Sequence, residues 1–282
     1  MDSGVATQPI GDMAAYRAKL ESFVYHTGMI MRPVFATAKQ IHSDSPKRVI
    51  YCEGEDERVL HAAQTVIDEA LARPILIGRA AVITEKLAEL GLRMRAGADF
   101  ELVDPHTDSR LEIAAAAYHE RMGRRGFSPE ASLIAVRRSN TLLGTLMLDA
   151  GDADAMLCGL VGRYQSHLEH VQNIIGRQPG VNLLAAMNLL MLPGRNLFVC
   201  DTYVNTDPSA EEVAAMTLLA ADEVRRFGLQ PKVALISHSN FGTSDRPSAS
   251  KMRIARGLVA ALDPALEIDG EMHIDAALNE EL

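Results

Sequence analysis

A regular alternation of short apolar runs with helical patterns begins at residue 48 and constrains the fold more than any other feature. Residues 48–52, 74–78 and 100–103 are apolar runs of strand length. Between them, residues 54–71 and 81–90 repeat apolar side chains at helical spacing. Strands that alternate with helices build right-handed βαβ units. The pattern therefore predicts an α/β fold, with mainly parallel sheets that carry helices on both faces.

The alternation continues along the chain and is interrupted by a turn-rich stretch at residues 176–180, which we interpret as the boundary between two lobes. Pro33 is expected to bend or restart the helix that precedes the first strand. Near the other end, residues 266–269 are predicted to form a last strand and residues 269–271 an acidic turn. The predicted segments are a linker over 1–11, an N-terminal helical segment over 12–45, a first α/β lobe over 46–180 and a second over 181–282.

Charge and cysteine usage exclude several classes of protein. The chain has 28 Lys and Arg against 37 Asp and Glu, a net charge of -9, which argues against a nucleic-acid partner. No apolar run approaches the roughly 18 residues of a membrane span, so no membrane partner is predicted. Cys52, Cys158 and Cys200 lie far apart, with neither metal-site nor disulfide spacing, and predict a reducing, cytoplasmic location. No metal site is predicted.

A strand, a polar loop and a helix start follow one another in residues 233–258. The loop is rich in small hydrogen-bonding side chains, and Pro247 restarts the chain as a helix. Such a joint offers backbone N–H groups and a positive dipole end to an anion, and Lys251 and Arg253 lie one turn further on. The alternative is that the loop residues only cap the helix. The candidate anion-binding residues of the loop are Ser237, His238, Ser239, Asn240, Gly242, Thr243 and Ser244.

Several acidic and histidine side chains are further candidates. Asp269 and Glu271 follow an apolar strand, at the sheet edge where α/β proteins bind ligands, although helix capping is an equally good explanation for such acids. His167 and His170 are interpreted as helix-surface residues, and His238 as a loop hydrogen-bonding group. The first strand is followed by Gly-Glu-Asp rather than a glycine-rich phosphate loop, so this chain is not expected to bind a nicotinamide cofactor.

Five stretches resemble one known family. They are YCEGEDERVLHAAQ, RPILIGR, DADAMLCGLVGRYQSHLEHVQNIIG, SHSNFGTSDRPSASKMRIA and DGEMHIDAAL, and the family is that of the phosphate acetyl/butyryl-transferases. Three more stretches, SGVATQPI, FVYHTGMIMRPVF and LFVCDTYVNTDPSAEE, are similar to one branch, the C-terminal domain of bacterial NADP-dependent malic enzymes. The resemblance covers nearly all of residues 2–282.

This resemblance implies a two-lobed, three-layer αβα fold of the phosphotransacetylase type, similar to isocitrate and isopropylmalate dehydrogenases, with an incomplete C-terminus. In the transferases the cleft between the lobes receives coenzyme A and acetyl phosphate. In the malic-enzyme branch the domain binds acetyl-CoA for feedback inhibition and builds a homo-oligomer, while NADP and a divalent metal belong to a separate N-terminal half. The ligand-binding residues implied by the resemblance and the loop together are Arg163, Tyr164, Ser237, His238, Ser239, Asn240, Gly242, Thr243, Ser244, Lys251, Asp269 and Glu271.

Two departures from the transferases bear on activity. An arginine expected in the helix after DADAMLCG is replaced by Glu169, whose carboxylate would repel phosphate. The Ser-Arg-Gly motif of the transferases would fall beyond Leu282. Ser239 and Arg121 are the remaining catalytic candidates by family position, and Arg163 is another possible substitute for the missing arginine. Three hypotheses stay open: an acetyl-CoA-sensing and oligomerising domain, an active acyltransferase, and a purely structural oligomerisation domain.

Overall fold

The computed structural model describes residues 28–192 and 195–279, and the structural statements below concern these residues. The helices are α1 (Gly28–Asp44), α2 (Glu57–Asp68), α3 (Ala80–Glu89), α4 (Leu111–Met122), α5 (Pro129–Arg138), α6 (Asn140–Asp149), α7 (Tyr164–Ile174), α8 (Ala210–Arg226), α9 (Pro247–Leu262) and α10 (Ile274–Leu278), with a 3₁₀ turn at Gly123–Arg125. The strands are β1 (Arg48–Tyr51), β2 (Arg73–Ile77), β3 (Glu101–Val103), β4 (Ala155–Leu157), β5 (Met187–Leu192), β6 (Arg195–Cys200), β7 (Lys232–Ile236) and β8 (Glu267–Met272).

Two compact units divide the chain. The first consists of residues 33–178, and the second contains the rest of the described chain. The first unit holds a four-stranded sheet in the order β3-β2-β1-β4, and all of its neighbouring strands are parallel. The predicted βαβ organisation of this part of the chain is therefore confirmed.

The sheet of the first unit is covered by apolar clusters on both faces, because successive strand residues point to opposite sides. Ile50 and Ile75 belong to the cluster that includes residues of α4, α5 and α6. Tyr51 and Leu76 belong to the other cluster, with Leu60 of α2 and residues of α3. Strands buried on both faces explain why these runs are continuously apolar in sequence.

The second unit is built around the parallel pair β7–β8 and an antiparallel hairpin, β5–β6. Helices α8 and α9 supply Val213 and Ala255 to a cluster that also contains Leu235 of β7. Helix α8 begins with a complete capping box, in which Ser209 and Glu212 satisfy each other's backbone N–H groups. Ser209 followed three residues later by Glu212 is the sequence pattern typical of such a helix start.

One local prediction is wrong and another is narrowed. Of the two effects predicted for Pro33, a restart of the helix does not occur, because α1 runs through it from Gly28 to Asp44. Residues 269–271 do not form a turn but belong to β8, which continues to Met272 and extends the pairing with β7. The predicted linker over 1–11 and the start of the helical segment at residue 12 lie outside the described residues. In the described ranges, no helix combines the length and apolar character that a bilayer crossing requires.

Candidate functional site

The polar loop between β7 and α9 is tied along its length to the end of β8. The Ser237 amide donates to the Met272 carbonyl at 2.9 Å, and the Phe241 amide donates to the Glu271 carbonyl at 2.8 Å. These two bonds continue the strand pairing past the last residue of β7. The loop is thereby held over the carboxyl end of the strand pair, the edge where the sequence predicted it.

The centre of the loop is the fully buried side chain of Glu271. Its Oε1 accepts hydrogen bonds from the Ser239 hydroxyl at 2.9 Å, the Gly242 amide at 2.9 Å and Arg253 Nη1 at 2.7 Å. Its Oε2 is buried and has no partner among the described residues. Burial alone would raise the carboxyl pKa, but the hydrogen bonds from Gly242, Ser239 and Arg253 outweigh it and lower the pKa to about 2. Glu271 is therefore ionised at neutral pH.

The loop thus already surrounds an anion that belongs to the chain itself. A backbone amide, a hydroxyl and a guanidinium are the donors that the sequence analysis reserved for an external anion. Ser239 is almost completely buried, and its oxygen also accepts the Ser244 amide at 3.1 Å. Its hydroxyl contributes to folding the loop, which supports a structural role for this serine over a role as nucleophile.

Asn240 is held by the start of α10. Its Oδ1 accepts the His273 amide at 2.7 Å, and its Nδ2 lies 3.2 Å from His273 Nδ1. His238 is exposed and its Nε2 lies 3.3 Å from the Ser244 hydroxyl, in keeping with the predicted loop hydrogen bond. Gly242 and Thr243 form the exposed outer part of the loop.

Lys251 is not directed to the loop. Its Nζ donates to Asp207 Oδ1 at 2.5 Å and to the Pro208 carbonyl at 2.9 Å. The ammonium group of Lys251 lowers the pKa of the Asp207 carboxyl. Both residues line a cavity of about 610 Å³ between the starts of α8 and α9, together with Arg246. The predicted phosphate-binding role of this lysine would require it to leave an ion pair.

Asp269 also lies apart from the loop, although the sequence grouped it with Glu271. It pairs with Ala234 in the strand register, is exposed, and its Oδ1 lies 3.2 Å from Arg256 Nε. The geometry therefore separates the two acids of the predicted turn. One is a solvent-facing ion-pair partner on the strand, and the other is the buried centre of the loop.

In the first unit, the candidate residues lie where the strand order reverses. Strands β1, β2 and β3 follow one another outward in one direction across the sheet, and β4 then lies on the other side of β1. Parallel sheets of this kind bind ligands where the strand order reverses, which here is the junction between β1 and β4. A cleft of about 650 Å³ opens at these strand ends. It is lined by Glu53, Glu55, Asp56, Glu57, Arg58, Lys86, Asn140 and Val161.

The charges of this cleft are mostly paired within the chain. Glu55 accepts from Arg79 Nη2 at 2.7 Å, and Lys86 donates to the Glu55 carbonyl at 2.8 Å. Asp56 caps α2 and bonds to Arg58, which lowers the pKa of its carboxyl to about 2. Acids outnumber bases among the residues that line this cleft.

Arg163 and Tyr164 follow β4, at the N-cap and first residue of α7, and both side chains are exposed. Glu169 is exposed on the same helix. Arg121 is engaged elsewhere, because its guanidinium donates to Asp149 at 2.5 Å and to the Ile174 carbonyl at 3.0 Å. Those two bonds favour a structural role for Arg121 over its predicted role as a catalytic substitute.

The interpretation of two histidines as surface residues is wrong. His167 Nδ1 lies 2.7 Å from the Thr141 hydroxyl, and His170 Nε2 lies 3.2 Å from the Ser139 hydroxyl. Both rings are partly buried, and burial lowers the pKa of His170. Among the residues that the structure covers, no group of three or more His, Cys, Asp or Glu side chains is arranged to hold a metal ion.

From the sequence, Arg253 was expected only to add positive charge near the loop, and its ion pair with Glu271 was not predicted. The available signal was the position of the acid, between Gly270 and Met272 directly after an apolar strand. An acid continuing a buried strand needs a cationic partner nearby. Arg253, on the helix of the same strand–loop–helix unit, was the candidate for that cationic partner.

Comparison with known proteins places this arrangement in a family. The sequence profile described as phosphate acetyl/butaryl transferase matches residues 29–282. The chain belongs to this family. Two solved phosphotransacetylases share its fold: the enzyme from Streptococcus pyogenes (TM-score 0.77, 26% identity, 89% of this chain and 75% of that one) and EutD from Staphylococcus aureus (TM-score 0.75, 24% identity, 88% and 74%). The α/β class predicted from the sequence is confirmed.

Within the phosphate acetyl/butaryl transferase family, the chain is similar in sequence to parts of malic enzymes. It is 50% identical over 280 residues to the NADP-dependent malic enzyme of Escherichia coli, covering 99% of this chain and 36% of that protein. A phosphate acetyltransferase of Clostridium acetobutylicum is 30% identical over 260 residues, covering 90% of this chain and 76% of that enzyme. The chain is thus a phosphotransacetylase-like domain that corresponds to the C-terminal portion of malic enzymes and spans about a third of their length.

Proposed function

We propose that the chain is the regulatory, oligomer-forming domain of a malic enzyme and that it binds acetyl-CoA or a related acyl-CoA without catalysing acyl transfer. Malate oxidation and decarboxylation, with NADP and a divalent metal, would belong to the remainder of such an enzyme. The 50% identity to a malic enzyme over 99% of the chain supports this placement. Three free thiols at Cys52, Cys158 and Cys200 suit a cytoplasmic location.

The observation that best supports a non-catalytic role is that the Ser239 hydroxyl and the Arg253 guanidinium both donate hydrogen bonds to Glu271. Transfer between acetyl phosphate and coenzyme A requires positive groups that stabilise developing negative charge. Here the guanidinium of Arg253 already faces a buried carboxylate, and Lys251 already faces Asp207. Glu169 adds a negative charge at the position where the transferases were expected to have an arginine.

Binding a coenzyme does not require the groups that would stabilise developing negative charge during acyl transfer. The outer loop keeps Thr243 and His238 exposed, and Arg163 and Tyr164 are exposed in the first unit. We expect the phosphates of the coenzyme to contact the outer loop.

Oligomerisation is supported by the hairpin β5–β6. Leu190, Met191, Leu192 and Val199 are large apolar side chains of this hairpin, and each is about 40% exposed. Leu190, Leu192 and Val199 lie on one face of the hairpin and Met191 on the other, because side chains alternate along a strand and Val199 pairs with Asn188. Exposed apolar side chains that share one face are typical of surfaces that another protein covers. A second copy of the chain is the partner that we expect, and sedimentation velocity of the chain would measure it.

The proposal is tested by calorimetric titration of the chain with acetyl-CoA, alongside an assay for acetyl phosphate formation from acetyl-CoA and phosphate. We expect saturable binding heat, a raised melting temperature and no turnover. Thr243→Ala should weaken binding, whereas Asp269→Asn, on the strand away from the loop, should leave it unchanged. Absence of both heat and thermal stabilisation would refute the ligand-binding function.

A second candidate, an active acyltransferase, is favoured by the 30% identity to the Clostridium acetobutylicum enzyme over most of both chains. Turnover that Ser239→Ala abolishes would establish this alternative. Glu169→Arg separates the two cases further. Activity gained only in this variant would mean that the loss of one positive charge explains the inactivity of the natural sequence. A purely structural domain, the third hypothesis, would give neither heat nor turnover and would still form oligomers.

A further inference from the structure

Cys52 and Cys158 are neighbours at the carboxyl ends of β1 and β4. The last register pair of these parallel strands is Tyr51 with Leu157, and the Cys52 amide donates to the Leu157 carbonyl at 3.0 Å. Each cysteine is therefore the next residue of its chain beyond that pair. Neighbouring strands are about 4.8 Å apart, within the Cα separation of about 4.4–6.8 Å that a disulfide requires.

Both thiols point to the same face of the sheet. Cys52 belongs to the apolar cluster on the side of α6, and Cys158 packs against that cluster. A Cβ placed on Gly144 of α6 would lie 3.0 Å from the Cys52 sulfur, so α6 confines this thiol closely. The two thiols are hydrogen-bonded to each other, and Cys52 is also hydrogen-bonded to Thr141.

The two sulfurs differ in character. Cys52 is fully buried, whereas Cys158 is partly exposed. The hydrogen bond from Cys52 lowers the pKa of Cys158, although its partial burial and the charge of Glu53 act in the opposite direction. The same hydrogen bond, together with burial, raises the pKa of Cys52. A partly exposed thiol whose thiolate is stabilised, next to a second thiol, is the arrangement of a redox-sensitive pair.

We propose that Cys52 and Cys158 form a reversible intramolecular disulfide when the protein meets hydrogen peroxide. The Cys158 thiolate attacks one peroxide oxygen, the O–O bond breaks, and the departing hydroxide takes a proton and leaves as water. The product is Cys158 sulfenic acid. The Cys52 sulfur then attacks the Cys158 sulfur and displaces hydroxide, which leaves as a second water with the Cys52 proton. Two electrons pass from the two thiols to the peroxide.

The disulfide would act at the β1–β4 junction. It would replace a hydrogen bond between thiols with a covalent bond of about 2.05 Å, tightening the two strand ends. The residue after Cys158 is Gly159, whose amide donates to the Glu53 carboxylate at 2.9 Å, and the same loop continues to Arg163. Oxidation would therefore alter the loop that leads into α7.

The test is intact-mass analysis of the chain after brief treatment with hydrogen peroxide and alkylation of the remaining thiols with iodoacetamide. The variant Cys200→Ser removes the third, exposed thiol and serves as the background. We expect a product lighter by two hydrogens that carries no alkyl group, a cross-linked 52–158 peptide after proteolysis, and complete return of both thiols with dithiothreitol. In wild type, Cys200 should remain alkylated.

Single variants establish the order of events. In Cys52→Ser, dimedone should trap a sulfenic acid on Cys158, and in Cys158→Ser the label on Cys52 should fall at least tenfold. Two alkylated thiols after peroxide treatment, or oxygen addition without a cross-link, would overturn the proposal. These readouts follow the chemistry of the sulfurs and do not depend on whether the chain binds acyl-CoA.

Discussion

The carboxylate of Glu271 is the charge on which the β7–α9 loop depends. It is fully buried, while its partner Arg253 is about one-third exposed. Removing one member of such a pair leaves the other uncompensated, which costs more than the pair contributes when intact. The donors of Ser239 and Gly242 would also lose their acceptor.

Glu271→Gln is expected to destabilise the protein by roughly 2 kcal/mol at pH 7, as measured by urea denaturation. The folded-state carboxyl pKa of about 2 lies below the ordinary value of about 4.3. The carboxylate charge therefore contributes fully to stability when the pH is above about 4.3. This contribution declines as the pH falls from about 4.3 towards 2. Between pH values of about 4.3 and about 2, the free energy of unfolding of the variant should therefore decrease less with falling pH than that of the wild type.

Asp269→Asn is the matched control for Glu271→Gln. Asp269 lies on the same strand but is exposed, and its ion pair with Arg256 is solvent-screened. Its substitution should change the free energy of unfolding by less than about 0.5 kcal/mol. Equal effects of the two substitutions would contradict the central role given to Glu271.

At the scale of elements, the β7–β8 pair depends on a glycine. Gly270 has φ of 125°, and a Cβ there would lie 2.6 Å from the Leu235 carbonyl oxygen of the neighbouring strand. The Leu235 Cβ and backbone nitrogen would also lie 3.1 and 3.2 Å away, which leaves little room for adjustment. This close approach lies next to a register shift, where Ile236 pairs with Met272 and Glu271 is left out of the pairing, and it explains why a glycine is present at this position.

Gly270→Ala is expected to lower stability by roughly 2 kcal/mol or more, because the new methyl group meets main-chain atoms at a positive φ. The comparison variant is Gly257→Ala in α9, where a Cβ would meet nothing within 4 Å. That change should stabilise the protein by about 0.5–1 kcal/mol through helix propensity. Thermal unfolding followed by circular dichroism measures the stability of both variants. A Gly270→Ala protein as stable as the wild type would contradict the prediction and would show that β7 and β8 can move apart to accept the methyl group.

Sequence periodicity predicted the strands and helices well, because doubly buried strands and capped helices leave local patterns. Ser128 before Pro129 and the Ser209 box both mark true helix starts. The acidic turn was wrong because Asp269 and Gly270 carry turn propensity, and pairing with β7 overrides it. The partners of Lys251 and Arg121 were not predictable, because each ion pair joins residues that are distant in sequence.

At the scale of the molecule, each unit has its own apolar core. Leu143 of α6 is fully buried in the first unit, and Leu235 of β7 is buried in the second. The clusters that contain them share no residue. We therefore expect the two units to respond separately to cavity-forming substitutions.

Leu143→Ala and Leu235→Ala should each cost about 2–5 kcal/mol within their own unit. Hydrogen exchange measured by mass spectrometry should show faster exchange in residues 33–178 for Leu143→Ala. For Leu235→Ala, the faster exchange should lie in residues 179–279. Uniform acceleration across the whole chain in either variant would indicate a single cooperative unit instead.

The carboxylate inside the β7–α9 loop also sets a threshold for ligands. An external anion that binds the Gly242 amide and Arg253 must displace the carboxylate of Glu271 from them. Glu271 competes at a high effective concentration because it belongs to the same chain. Inorganic phosphate, with few other contacts, would lose this competition. A larger anion that also contacts surfaces outside the loop could bind despite it, so we expect the tethered acid to favour large anions over small ones.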